Sequence, residues 1–376
     1  MTSPAPSQMS RGLSIYLDIV RFLAALEVFL SHAARFPFTG IRPSWWNAYG
    51  HEAVVLFFVL SGFLITYAAT EREHTAGRFF VSRLSRIYSV ALPALVLTLA
   101  LDLVGRAAAP AIYAPFTAYD QIPVRLAISA LLVNESWGLS VQTFSNTPYW
   151  SIAYELWYYF LFGSALFFTG RTRWGLLALF GLIAGPKVLL LFPIWLLGSW
   201  AYRETGSRAW HPGVRWAALL AVVPVTLLFS RCDVPGLGDA LLIDVMGREA
   251  WRDLAWSRHV LTDTLFAVFV ALHFVAAKHL APSAGRLVAA VEPVARALSR
   301  FTFTLYLIHQ PVMLLVGAMT VTAVPTAAMP MVVLGAVAVA VIAFGPLTEQ
   351  QRHRLTGPLM RVAGARIDRM AGARRV

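Results

Sequence analysis

Four ionisable residues stand inside one apolar run, LDIVRFLAALEVFLSHAARF (residues 17–36): Asp18, Arg21, Glu27 and His32. Each costs about 2.5–3.5 kcal/mol at the centre of a membrane helix, so each needs a partner, a cavity or a task. Asp18 and Arg21 are three residues apart and can pair on one helix face. Arg21 and His32 are eleven apart, which places them within about 20° of the same face and roughly 16 Å apart along the axis. Asp18, Arg21 and His32 thus form one polar stripe. A lone histidine on an apolar helix is usually a hydrogen-bonded packing residue; the aligned stripe favours chemistry instead, with His32 able to act as a general base.

Other segments supply possible partners. NTPYWSIAYELWYYFLFG (146–163) sets Glu155 about one and a half turns inside a run opened by Tyr149 and Trp150. A carboxylate beside a histidine can fix its tautomer and stabilise the imidazolium. Trp150, Tyr154 and their aromatic neighbours mark a membrane interface, and such rings can also hold sugars. FTFTLYLIHQPVMLL (301–315) carries His309 and Gln310 in mid-span, and Pro311 frees a carbonyl near Tyr306 or Leu307. Arg83 and Arg86, in RLSR, sit at one mouth of a span. Such a pair usually anchors the chain at the membrane edge, but arginine forks also suit phosphate oxygens. Ser61 and Gly62 suit close helix packing in the wall of a cavity. His51, His74, His211, His259, His279 and His353 fall at span ends or in loops, and His273 lies in a span without a motif.

The elements that must position these groups follow from composition. Of 376 residues, 58% are hydrophobic and 13% charged, about half the charge of a soluble domain. This excludes an ordinary soluble globule and disorder. Runs of eighteen or more apolar residues predict membrane-crossing helices, where a barrel would show short alternating segments. The fold class is therefore all-α, a polytopic bundle of about ten transmembrane helices: 13–35, 52–70, 87–105, 149–169, 174–187, 189–202, 216–231, 260–278, 302–320 and 328–347. Gly185-Pro186-Lys187 makes the fifth and sixth a hairpin or a broken helix. Residues 122–139 read as an interfacial or re-entrant segment. With the N-terminus inside, 21 basic residues fall on the inner side and nine on the outer, which predicts both termini in the cytoplasm. Residues 1–350 form one transmembrane domain and 351–376 a basic cytoplasmic tail. The first helix reads as a retained anchor, not a cleaved signal. The net charge of +12 is distributed between apolar runs, as topology and lipid headgroups require and not as nucleic acid does. One cysteine, Cys232, excludes an intrachain disulfide and a multi-cysteine metal site. Phosphate-loop, dinucleotide, zinc-protease and serine-hydrolase motifs are missing.

In order, these segments resemble the acyltransferase-3 family of membrane acyltransferases. LDIVRFLAALEVFLSH keeps that family's Asp18, Arg21 and His32, with Ile19 and Phe22 replacing two glycines. FFVLSGFLIT (57–66) matches its second motif. RLSR (83–86) matches an Arg-x-x-Arg element, with Ser89 where proline is usual. WSIAYE (150–155) and YLIHQP (306–311) match the last two. The resemblance implies a multi-pass enzyme of the bacterial inner membrane. It would transfer an acyl group, commonly acetyl, from cytoplasmic acyl-CoA to a hydroxyl of an exported or cell-surface carbohydrate, with no metal. It implies His32 as base or transient acyl carrier, Glu155 orienting His32 or binding acceptor, Arg21 held by Asp18, and Arg83 and Arg86 on the donor's phosphates. His309, Tyr306, Trp150, Ser151, Tyr154 and Ser61 would contact substrate or support the site. The implied partners are the bilayer, the carbohydrate acceptor and surface-glycan assembly proteins, with no nucleic acid. The same intramembrane Arg, His and Glu also suit a transporter of a glycan or acidic solute, and a non-catalytic scaffold is a third reading.

Overall fold

The computed structural model describes residues 9–44, 47–116, 119–280 and 285–372. Residues 1–8 lie outside the described residues, as do Arg374, Arg375 and the side chain of Arg286, three arginines that entered the charge count. The described chain is helical, without strands. Its principal helices are α1 (Arg11–Ala34), α2 (Gly50–Glu71), α3 (Ala76–Ala108), α4 (Trp150–Phe167) and α5 (Gly170–Arg203). They continue with α6 (Pro212–Arg231), α7 (Val260–Leu280), α8 (Gly285–Ser299), α9 (Thr302–Thr320), α10 (Met329–Phe344) and α11 (Arg352–Leu359). Among the described residues, seven helices are long and apolar enough to cross a membrane: α2, α3, α5, α6, α7, α9 and the run that begins with α10. The expectation of about ten spans differs in three places. It includes α1, whose centre carries Asp18, Arg21 and Glu27, and α4, and it counts two limbs of α5 separately.

Those limbs meet at Gly185, whose φ of +80° lies in a region that favours glycine. The 34 residues of α5 would span about 51 Å if straight. Both ends instead lie at one end of the bundle. The start follows Phe168, which packs on Phe80 of α3, and Tyr202 bonds Glu71 of α2 at 3.0 Å. The chain therefore turns back at Gly185. Pro186 has no N–H to give the carbonyl of Leu182; the Trp137 indole supplies one at 2.6 Å. Trp137 belongs to the loop after the short helix Ile122–Ala130, and a Cβ on Gly185 would lie 2.5 Å from the Trp137 nitrogen. Glu135 and Lys187, both buried, pair at 3.8 Å in the same joint.

The second limb crosses α2 through two glycines. A Cβ on Gly62 would sit 1.9 Å from the Trp195 carbonyl oxygen, and one on Gly198 would sit 1.8 Å from that of Val59. Backbones approach this closely only without side chains. At the end of the bundle where α1 begins, Asp18 accepts from Arg296 of α8 at 2.9 Å, and Glu292 pairs with Arg11. The residues after α10 return to the same end. Asp368 accepts from the Gly77 amide at 2.7 Å and from Thr75 at 3.3 Å, so this basic stretch packs on the first turn of α3.

Candidate active site

The stripe on α1 faces α9. The Nδ1 of His32 and the Nε2 of His309 are 2.9 Å apart, with ring centroids at 5.1 Å. The second bond of His309 fixes the direction of the first. Its Nδ1 lies 2.9 Å from the Leu305 carbonyl, and a carbonyl only accepts, so Nδ1 carries the hydrogen. In the neutral ring Nε2 is then the acceptor, and His32 donates to it through Nδ1. The lone pair of His32 therefore sits on Nε2, which is free to take a proton. His309 is buried and His32 is partly exposed.

Pro311 sets the local shape of α9. It leaves the Leu307 carbonyl without its helical donor, and Asn146 fills the gap from Nδ2 at 2.8 Å while also donating to Thr98 at 3.0 Å. Gln310 donates to Thr147 at 3.0 Å. These bonds tie α9 to the segment that leads into α4.

One turn before His309, Tyr306 lies 2.7 Å from Ser151 of α4. Both line a pocket that extends away from the histidine pair. Its wall is apolar along Val54, Phe57 and Leu64 of α2. Its charged groups are Arg21, Arg86, Glu155 and Glu349. Glu155 accepts from Ser61 at 2.6 Å and from the Tyr159 hydroxyl, and Trp195 donates to Ser61 at 3.1 Å. Glu349 accepts from the Thr304 amide and hydroxyl at 3.0 Å. Both carboxylates thus hold hydroxyl or amide donors. Among the described residues, the carboxylate nearest Arg21 is Asp18 at 3.7 Å, and Arg86 has no ion pair within 4 Å. Two guanidinium groups face a largely apolar pocket, an arrangement that suits an anionic ligand with a long uncharged arm.

The anticipated groups divide accordingly. Arg21, Arg86, Ser61, Ser151, Glu155 and Tyr306 share the pocket, while His32 and His309 form the pair one turn beyond it. Asp18 binds Arg296 more closely than Arg21. Glu155 does not reach His32: its bonds go to Ser61 and Tyr159, and the partner that orients His32 is His309. Arg83 does not line the pocket. It turns to Glu73 at 2.5 Å and lies over the Phe79 ring, so the two arginines of RLSR have different surroundings. Trp150 stacks on Trp256 at 4.9 Å, and the Tyr154 hydroxyl meets Ser257 at 3.0 Å; both pack beside the site. Glu349 was not anticipated. Its signal is isolation, for it is the only acidic residue between Glu292 and Asp368.

The fold and site define a polytopic helical membrane protein with an ionisable centre between its first and later helices. The sequence profile of an acyltransferase domain, that of the acyltransferase-3 family, matches residues 14–345, and the chain belongs to this family of membrane acyltransferases. No curated protein and no solved structure gave a match.

Proposed function

We propose that this acyltransferase takes an acyl group, acetyl in the first instance, from acyl-CoA on the cytoplasmic side of the bacterial inner membrane. It passes the group to a hydroxyl of an exported or cell-surface carbohydrate. The carrying observation is the free Nε2 of His32, oriented by His309, one turn from a pocket that presents Arg21 and Arg86. In this reading both termini are cytoplasmic. Phosphates of the donor meet Arg86 and Arg21, and its thioester arm lies along the apolar wall of α2 as far as Tyr306 and Ser151. His32 removes the proton of the acceptor hydroxyl as its oxygen bonds the acyl carbon; the carbon–sulfur bond breaks, and the proton passes to the thiolate. The His32–His309 bond strengthens as His32 gains charge, since bonds to charged groups are stronger than neutral ones. Asp18 and Arg296 position Arg21.

The test compares ester-linked acyl groups in surface and secreted glycans of three strains: wild type, a deletion, and the deletion carrying His32→Ala. One ester should vanish in the deletion and stay absent with His32→Ala, naming both acyl group and acceptor. An identical ester pattern in all three, with the variant present in the membrane, refutes the proposal.

A further inference from the structure

A second cavity, of about 360 Å³, opens at the end of the bundle where α1 begins, on the opposite side of α2 from Ser61. Its inner wall is apolar, with the partly exposed Met9 and Tyr202 in front of the buried Leu13 of α1 and Phe63 of α2. Its mouth is basic, with Arg203 and Arg208 after the second limb of α5 and Lys278 and His279 at the end of α7. One carboxylate, Glu204, stands among them, and its oxygens accept from the Ser207 amide at 3.1 and 3.2 Å. Lys278 is fully engaged: its ammonium donates to the carbonyls of Ala201 and Tyr202 at 3.0 Å and to that of Glu204. It thereby neutralises the negative end of α5. Arg215 adds a further cation, held by the Arg208 carbonyl at 2.7 Å. The exposed guanidinium groups of Arg203 and Arg208 have no ion pair within 4 Å among the described residues.

We propose that this cavity binds the phosphate headgroup of an anionic membrane lipid, with Arg203 and Arg208 on the phosphate and the start of an acyl chain over Met9 and Tyr202. The site is separate from the donor pocket and stands whether or not the proposed acyl transfer is correct. Three features carry it. The guanidinium forks match phosphate oxygens. Helix ends at a bilayer edge place the basic mouth at headgroup depth. The apolar wall directly beneath suits an amphiphile better than a soluble phosphate.

The test uses the full-length protein in detergent, with phosphatidylglycerol, phosphatidylcholine, inorganic phosphate or CoA added separately. Native mass spectrometry counts bound lipid, and thermal unfolding reads stabilisation. Wild type should retain phosphatidylglycerol over phosphatidylcholine. The double variant Arg203→Gln/Arg208→Gln should weaken that binding at least tenfold, while Arg354→Gln/Arg361→Gln, which removes the same charge elsewhere, should not. Equal binding of the two lipids, or equal loss in both double variants, overturns the proposal. Stabilisation by inorganic phosphate or CoA that disappears with Arg203→Gln/Arg208→Gln also overturns it, by making the site one for a soluble anion. The mass-spectrometric count stands even if a variant is less stable.

Discussion

The bond between His32 and His309 sets a measurable cost for losing the second ring. In His309→Ala, the Nδ1–H of His32 loses its acceptor at 2.9 Å, and His32 loses the partner that fixes its tautomer. A hydrogen bond to a charged group contributes about 1.5–3 kcal/mol. That range applies because, in the proposed transfer, His32 becomes imidazolium as it takes the proton. At about 1.4 kcal/mol per tenfold, the loss of kcat should be about 10- to 150-fold, with little change in donor KM, because His309 does not line the pocket proposed for the donor. His309→Gln, whose amide oxygen can accept, should recover part of the loss. The assay is transfer of labelled acetyl from acetyl-CoA by purified protein in lipid nanodiscs, with thermal unfolding as the check on folding. A folded His309→Ala enzyme with kcat within twofold of wild type would refute the assigned direction of the bond and the role of His309.

Arg86→Gln should raise the donor KM about 10- to 150-fold, the same arithmetic for a lost charge-assisted contact, in a titration of acyl-CoA. Arg83→Gln should leave that KM near wild type and lower the thermal midpoint instead, because it strands the largely buried Glu73; breaking a buried pair costs about 3–5 kcal/mol. Gly62→Ala should prevent folding, since its Cβ would sit 1.9 Å from a backbone carbonyl that cannot move aside; loss of the monodisperse chromatographic peak reports this. Burial pushes Glu135 up to about 7, with Lys187 pulling it the other way. Glu135 therefore binds its proton more tightly when folded than when unfolded. The stability this contributes is present in acid and is lost as pH rises through about 7. The thermal midpoint should fall between pH 5 and 8, and Glu135→Gln should flatten that fall; an unchanged slope would remove Glu135 as its cause.

What the sequence disclosed depended on whether it was local. The stripe on α1 was legible because helical period alone aligns Arg21 with His32. Pro311 pointed to a freed carbonyl because the missing N–H is a local fact, and Leu307 is that carbonyl; its donor, Asn146, comes from a segment 161 residues away. The turn at Gly185 was legible as a break, and the contacts of Phe168 and Tyr202 identify it as a reversal. Arg83 and Arg86 look equivalent in sequence. Three residues of rotation at the edge of a helix are enough to give one to Glu73 and the other to the pocket. Glu155 suggested a partner for His32 by its place in the membrane, but side-chain direction takes it to Ser61. Glu349 falls just past the span 328–347, where nothing local distinguishes a pocket-lining acid from a solvated one.

The separation of His32 from His309 also has a consequence in time. The two rings are 277 residues apart, and synthesis at about 5–20 residues per second leaves His32 waiting roughly 14–55 s for its partner. During that interval α1 must hold Asp18, Arg21, Glu27 and His32 in or near the bilayer without α9. The neighbour that arrives first is α2, whose Gly50 lies against Ser31 so closely that a Cβ would meet its hydroxyl oxygen at 2.6 Å. The two helices should enter the membrane as a hairpin, the more apolar one sheltering the other. A chain interrupted before residue 309 would carry an imidazole of undirected tautomer beside an incomplete pocket. The histidine pair is thus assembled only once α9 has been made, after every helix from α1 to α8.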